Sequence, residues 1–154
     1  MPGREVDVEI KMVLYLPRDA VSVPVSRQVL DGCLATLGVM PETRTDIALA
    51  LSEACANVIL HAGPGEEYEV MARARDGRCV IEVVNTGEPA GPIAPSPDPV
   101  PVTADHGRGL KIMDAVVDNL RLTGSAGDGT TVHFEKALDW MPGAAGEHLS
   151  GHDG

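Results

Sequence analysis

Hydrophobic positions change period along this chain, and each change marks a predicted element. Val6, Val8, Ile10, Met12, Leu14 and Leu16 alternate with other residues, the two-residue period of a half-buried strand. After a break from Pro17 to Pro24, the residues Val25, Val29, Leu30, Cys33, Leu34 and Leu37 follow helical spacing, and Gly38 is the stop. A second helix is predicted from Pro41-Glu42, with Ile47, Leu51, Ala54, Cys55, Val58, Ile59 and Ala62 facing inward and Gly63-Pro64-Gly65 ending it. Two strands follow, Glu67 to Arg75 and Arg78 to Asn85, joined by Asp76-Gly77, a dipeptide suited to a tight two-residue turn.

From Glu88 to about residue 106 the pattern is lost. Pro89, Pro92, Pro95, Pro97, Pro99 and Pro101 exclude regular structure there, and so long a loop inside a domain is usually functional or disordered. Leu110 to Asn119 reads as a third helix, then Leu120 to Gly124 and Thr130 to Leu138 as a last pair of strands. Residues 1–140 thus form one domain, and residues 141–154, rich in Gly, Ala, His and Ser, are expected to be a disordered tail. Helices set among pairs of strands predict an α+β fold: a two-layer sandwich of a mixed, mostly antiparallel sheet with three helices on one face.

Charge and composition narrow the function. A chain of 154 residues can bury one sizeable core. Its formal net charge is -11, from 12 basic and 23 acidic residues, and no Lys/Arg cluster is present to neutralise phosphates, so nucleic acid is excluded as a partner. No apolar run reaches membrane-spanning length and the start lacks a signal-peptide core, so a cytoplasmic protein without membrane contact is expected. Cys33, Cys55 and Cys79 are odd in number and lie in apolar elements, which reads as reduced core thiols.

Four short stretches carry candidate chemistry. Glu53 and Asn57 lie four residues apart on the second helix, with His61 four further on, so the three fall along one stripe. The Asn57 carbonyl oxygen suits a hard cation such as Mg²⁺, and Glu53 can take a proton from a hydroxyl or a water. Gly107-Arg108-Gly109-Leu110 opens a helix with free backbone N–H groups, a seat for phosphate. Asn85, followed by Gly87, ends a strand where its amide can meet a base edge, and Thr130 enters a strand after Gly129. Each stretch also has a plain reading: a solvated helix face with His61 as a cap, a glycine-rich junction, a turn, and a β-forming threonine.

Together and in this order, Glu53-x-x-x-Asn57, Asn85-x-Gly87, Gly107-x-Gly109-Leu110 and Gly129-Thr130 resemble the nucleotide-binding boxes of the histidine-kinase-like ATPase superfamily. The single-domain anti-sigma-factor serine/threonine kinases look closest, and the resemblance spans Val6 to Leu138. It implies a Bergerat-type fold with ATP under a lid at about residues 88–106. By position, Asn57 is then the Mg²⁺ ligand and Glu53 the general base on a serine hydroxyl. Asn85 contacts adenine with support from Thr130, Gly87 lets the base approach, and Gly107, Arg108, Gly109 and Leu110 hold phosphates. The implied partners are a sigma factor, bound by a homodimer, and an anti-anti-sigma protein, the kinase substrate.

Two positions depart from the family. Its adenine-recognising residue is normally Asp and here is Asn85, and its second glycine in that box is here Pro89. Losing charge assistance on one hydrogen bond costs on the order of 1 kcal/mol, so ATP is expected to bind more weakly than to a typical member. A catalytically degenerate binding module of the same fold is the alternative.

Overall fold

The computed structural model describes residues 9–61, 67–85, 107–124 and 130–144. In chain order these form β1 (Ile10–Pro17), α1 (Ser22–Leu37), α2 (Pro41–His61), β2 (Glu67–Arg75), β3 (Arg78–Asn85), α3 (Gly107–Val116), β4 (Asn119–Gly124) and β5 (Thr130–Ala137). Val6 and Val8, the stop at Gly63-Pro64-Gly65, the proline-rich loop over 88–106, the 125–129 connection and the tail from 145 lie outside the described residues.

The strands make one sheet in the order β1-β2-β3-β5-β4, and every described pairing is antiparallel. Local chemistry accounts for the central hairpin. Asp76 and Gly77 take φ of 54° and 74°, the two positive values that a tight turn of matching twist needs, and Arg75 and Arg78 pair across it. Strict alternation then sends Tyr68, Val70, Ala72, Ile81 and Val83 to one face, where all are buried. On the same face β5 contributes Val132 and Phe134, both with 0% exposure. Leu30, Leu34, Ile47, Leu51, Val58 and Met113 cover that face from the helices and complete a single core. Each such side chain stabilises the fold by roughly 1.5–3 kcal/mol through burial. Among the described residues no helix covers the other face of the sheet, and Val13 and Tyr15 of β1 lie exposed on it.

One buried face and two boundaries differ from the pattern-based expectation. On α1 the predicted inward residues Val25 and Val29 are 47% and 40% exposed, whereas Ser22 and Ser26 are buried with Leu30 and Leu34. The serines can face inward because both hydroxyls are satisfied there. Ser22 Oγ donates to Asp19 O at 2.8 Å and lies 2.5 Å from the Tyr68 hydroxyl, and Ser26 Oγ donates to Val23 O at 2.9 Å.

The third helix starts at Gly107, ahead of the predicted Leu110, and ends at Val116. Asp118 N already donates to Glu135 O at 2.9 Å, which draws the chain into the sheet before Asn119. Finally, the described chain continues past Trp140. Met40 N donates to Asp139 O at 2.8 Å, Met141 N to Gly38 O at 2.7 Å, and Ala144 is buried. None of the described helices is long and apolar enough to cross a membrane.

Candidate functional site

α2 is the middle helix of the layer, and its neighbours sort its side chains by face. Arg27 Nη1 of α1 donates to Ser52 Oγ at 3.3 Å, Arg44 Nη1 reaches both Asp31 oxygens at 3.1 and 3.2 Å, and Ser26 Oγ lies 3.5 Å from Cys55 Sγ. Positions 44, 52 and 55 therefore face α1. On the opposite flank Lys136 of β5 donates to Val116 O at the end of α3, at 2.7 Å, and pairs with Asp46 at 3.3 Å. Position 46 therefore faces α3.

Helical geometry places the candidates on that second flank. At 100° per residue, Glu53 and Asn57 each lie within about 20° of Asp46 around the α2 axis. A helix as short as α3 is about 15 Å long, close to the span from Asp46 to Asn57 along α2. The last turn of α3 is tied beside Asp46, and its Met113 packs in the shared core. Gly107, Arg108, Gly109 and Leu110 form its first turn, placed here by backbone alone. Glu53 and Asn57 thus lie on the flank of α2 that faces α3, the helix that Gly107-Arg108-Gly109-Leu110 opens.

Asn57 is 8% exposed, and its amide makes no hydrogen bond among the described residues. Glu53, one turn earlier, is half-buried and has no ion pair among the described residues. An amide at that position offers both an acceptor and a donor to a ligand. No group of three His, Cys, Asp or Glu able to hold a metal occurs among the described residues. One amide oxygen beside a carboxylate fits Mg²⁺, an ion that keeps water and phosphate oxygens as its remaining ligands.

The other candidates sit at strand ends. Asn85 is the last residue of β3, opposite Tyr68 of β2, half-buried and on the helix-facing side with Val83. Thr130 opens β5, the strand beside β3. Gly87 and Pro89 lie outside the described residues, and His61 is placed only as the last residue of α2. The cation described at that helix end is Arg18, whose Nη2 donates to Ile59 O at 3.0 Å. Pattern reading missed Arg18 because nothing in its spacing ties it to a helix 41 positions on.

Behind α2 lies a buried polar cluster. Burial raises the Cys55 thiol, an effect partly offset by hydrogen bonds with Ser26 and Tyr68, and burial likewise raises the Tyr68 hydroxyl. Both stay neutral and pack as core, in keeping with the reading of Cys55 as structural. Cys33, Cys55 and Cys79 are all free thiols, with Cys33 only half-buried.

Comparison with known proteins bears on the family and the fold. The profile of the histidine kinase-like ATPase domain family matches residues 16–136. A protein of Bacillus pumilus called serine-protein kinase RsbW is 30% identical over 140 residues, covering 82% of this chain and 85% of its own. A Pasteuria penetrans protein called anti-sigma F factor is 30% identical over 105 residues, 63% of this chain and 70% of its own. Among solved structures, the RsbU and RsbW domains of Rv1364c from Mycobacterium tuberculosis superpose with a TM-score of 0.63 at 23% identity. That match covers 84% of this chain but only 32% of the larger protein, and at this identity it supports the fold alone.

Proposed function

Because the chain belongs to the histidine kinase-like ATPase domain family, we propose that it is an anti-sigma regulatory kinase. In this reading it binds ATP with Mg²⁺, phosphorylates a serine or threonine of an anti-anti-sigma protein, and sequesters a sigma factor as a cytoplasmic homodimer. The names of two relatives, serine-protein kinase and anti-sigma F factor, support the two halves of that activity. The observation that carries the reading is the nearly buried amide of Asn57, without a partner among the described residues, one turn from Glu53.

The residues divide the work. Asn57 holds Mg²⁺ through its amide oxygen; the ion, when bound, neutralises phosphate charge. The substrate hydroxyl oxygen forms the new bond to the γ-phosphorus, the bond from that phosphorus to the β–γ bridging oxygen breaks, and ADP leaves. Glu53 accepts the hydroxyl proton. Backbone N–H groups of Gly107, Arg108, Gly109 and Leu110 hold phosphates at the start of α3. Asn85 accepts from the adenine amino group, Gly87 admits the ring, and Thr130 supports the contact. Incubation with labelled ATP, Mg²⁺ and an anti-anti-sigma protein should label that protein, and Glu53→Ala should abolish the label. Retained transfer in the variant would remove Glu53 from the role of base.

Asn85 and Pro89 favour a second reading, a nucleotide-poor binding module acting by protein contact alone. It predicts no melting shift with ATP and Mg²⁺, whereas the kinase reading requires one.

A further inference from the structure

The sheet face that no described helix covers falls into two halves, according to how its polar side chains are satisfied. On the β3–β5 half they answer one another. His133 Nδ1 is 3.1 Å from Glu82 Oε2, its Nε2 is 3.0 Å from Glu135 Oε2, and Arg78 Nη2 donates to Glu135 Oε1 at 3.2 Å. On the β1–β2 half, Lys11 and Glu69 make no ion pair among the described residues. They cannot reach each other, because Lys11 is opposite Arg73, and Glu69 lies about 13 Å further along the strand. Between those charges the surface is apolar: exposed Val13, Tyr15 at 67% exposure, and half-buried Met71.

We infer that the β1–β2 half of this face is the contact surface for a second copy of the chain. The inference deepens the homodimer named above and rests on that part of the reading alone. A chain of formal net charge -11 repels its own copy, so a self-contact must lie where unlike charges are brought together. Register supplies that arrangement. The cross-strand pairs Lys11–Arg73, Val13–Met71 and Tyr15–Glu69 follow one another as three rows. A two-fold axis lying across the strands at the middle row keeps each strand over its own copy and exchanges the outer rows. Glu69 then faces Arg73 of the second copy as an ion pair, and Tyr15 offers its ring to the second copy's Lys11. Each contact occurs twice. Val13 and Met71 meet their counterparts at the centre, which gives an apolar core within a charged rim. Packed sheets cross at about 30°, which carries the strands far from the axis out of register with their copies.

Shape agrees with charge. At the Arg73 end of the face a cavity of about 350 Å³ opens, lined by Glu9, Met71, Arg73 and Val80 among others. Tyr15 stands at the opposite end of β1, so each copy carries a projecting ring at one end and a recess at the other. A two-fold pairing uses both, twice over. The Arg73 side chain is 51% exposed, and its Nε lies 3.5 Å from Glu9. A guanidinium has five N–H groups, so that long pair leaves donors for the carboxylate of a second copy.

Sedimentation equilibrium of the full chain over a concentration series tests this. Wild type should dimerise with a micromolar or tighter constant. Glu69→Arg and Arg73→Glu should each weaken dimerisation about tenfold, because either change sets like charges opposite each other at two places. The double variant Glu69→Arg/Arg73→Glu restores the pair with its signs exchanged and should recover most of the wild-type constant. Should either single variant not fold, Tyr15→Ser, which empties the recess of its ring, should weaken dimerisation by a similar factor. Single variants that dimerise as wild type does, or a double variant no tighter than they are, would overturn this face while leaving a homodimer built on another surface. A wild type that stays monomeric throughout the series would remove the homodimer and this face together, and would leave the nucleotide reading untouched.

Discussion

Gly38 and Ala144, far apart in sequence, touch so closely that a β-carbon built on Gly38 would overlap the Ala144 methyl group. Gly38 ends α1 with φ of 89°, and its N–H bonds back to Ala35 O at 3.0 Å. Both the left-handed backbone and the contact demand glycine. Gly38→Ala should therefore lose about 2–4 kcal/mol, from αL strain plus overpacking, measured as a fall in the urea midpoint. A loss below about 1 kcal/mol would show that the 139–144 segment yields easily to the added methyl.

Asn57 makes a sharper test, because its two expected effects have opposite signs. Asn57→Leu replaces the amide of an 8% exposed residue with an apolar side chain on the face of α2 that meets α3. Unfolding of the ligand-free protein should become more costly by about 1 kcal/mol, while Mg²⁺-dependent nucleotide binding disappears. Loss of both stability and binding would mean that the amide is satisfied by the protein itself.

Asn85→Asp restores charge to the hydrogen bond proposed for the adenine amino group. ATP affinity by calorimetry should rise about fivefold to tenfold, the equivalent of about 1 kcal/mol. An unchanged dissociation constant would place Asn85 away from the base.

Stability should decline in alkaline solution. Burial pushes the Cys79 thiol up to about 12 and raises that of Cys55. In the unfolded chain such thiols ionise near about pH 8.5. Their contribution is therefore complete below that value and is lost as pH rises toward the folded value, with a slope of about 1.4 kcal/mol per pH unit for each thiol. Urea unfolding at about pH 8 and about pH 10 should show this decline, and Cys79→Ala should reduce it by roughly half. Equal stability at the two pH values would mean that the thiols reach solvent in the native state.

What residue order alone determined about this protein is mostly what neighbours in sequence decide. The β2–β3 hairpin follows from two alternating runs and an Asp76-Gly77 turn, all interactions within a few residues. The inward face of α2 follows from a dense apolar stripe, from Ile47 to Val58, that no rotation could leave in water. The Glu53–Asn57 pair was visible for the same reason, since helical spacing alone puts it on one stripe.

Tertiary structure decided the rest. α1 has valines on one flank and serines on another, so its local pattern points the valines inward. Tyr68 of β2 and Cys55 of α2 give Ser22 and Ser26 polar neighbours, and the helix turns accordingly. Likewise, nothing local announces that β5 inserts beside β3 and leaves β4 at the edge, or that Lys136 ties α3 to α2. Those choices are made by contacts between residues many positions apart, whose partners exist only once the chain has folded.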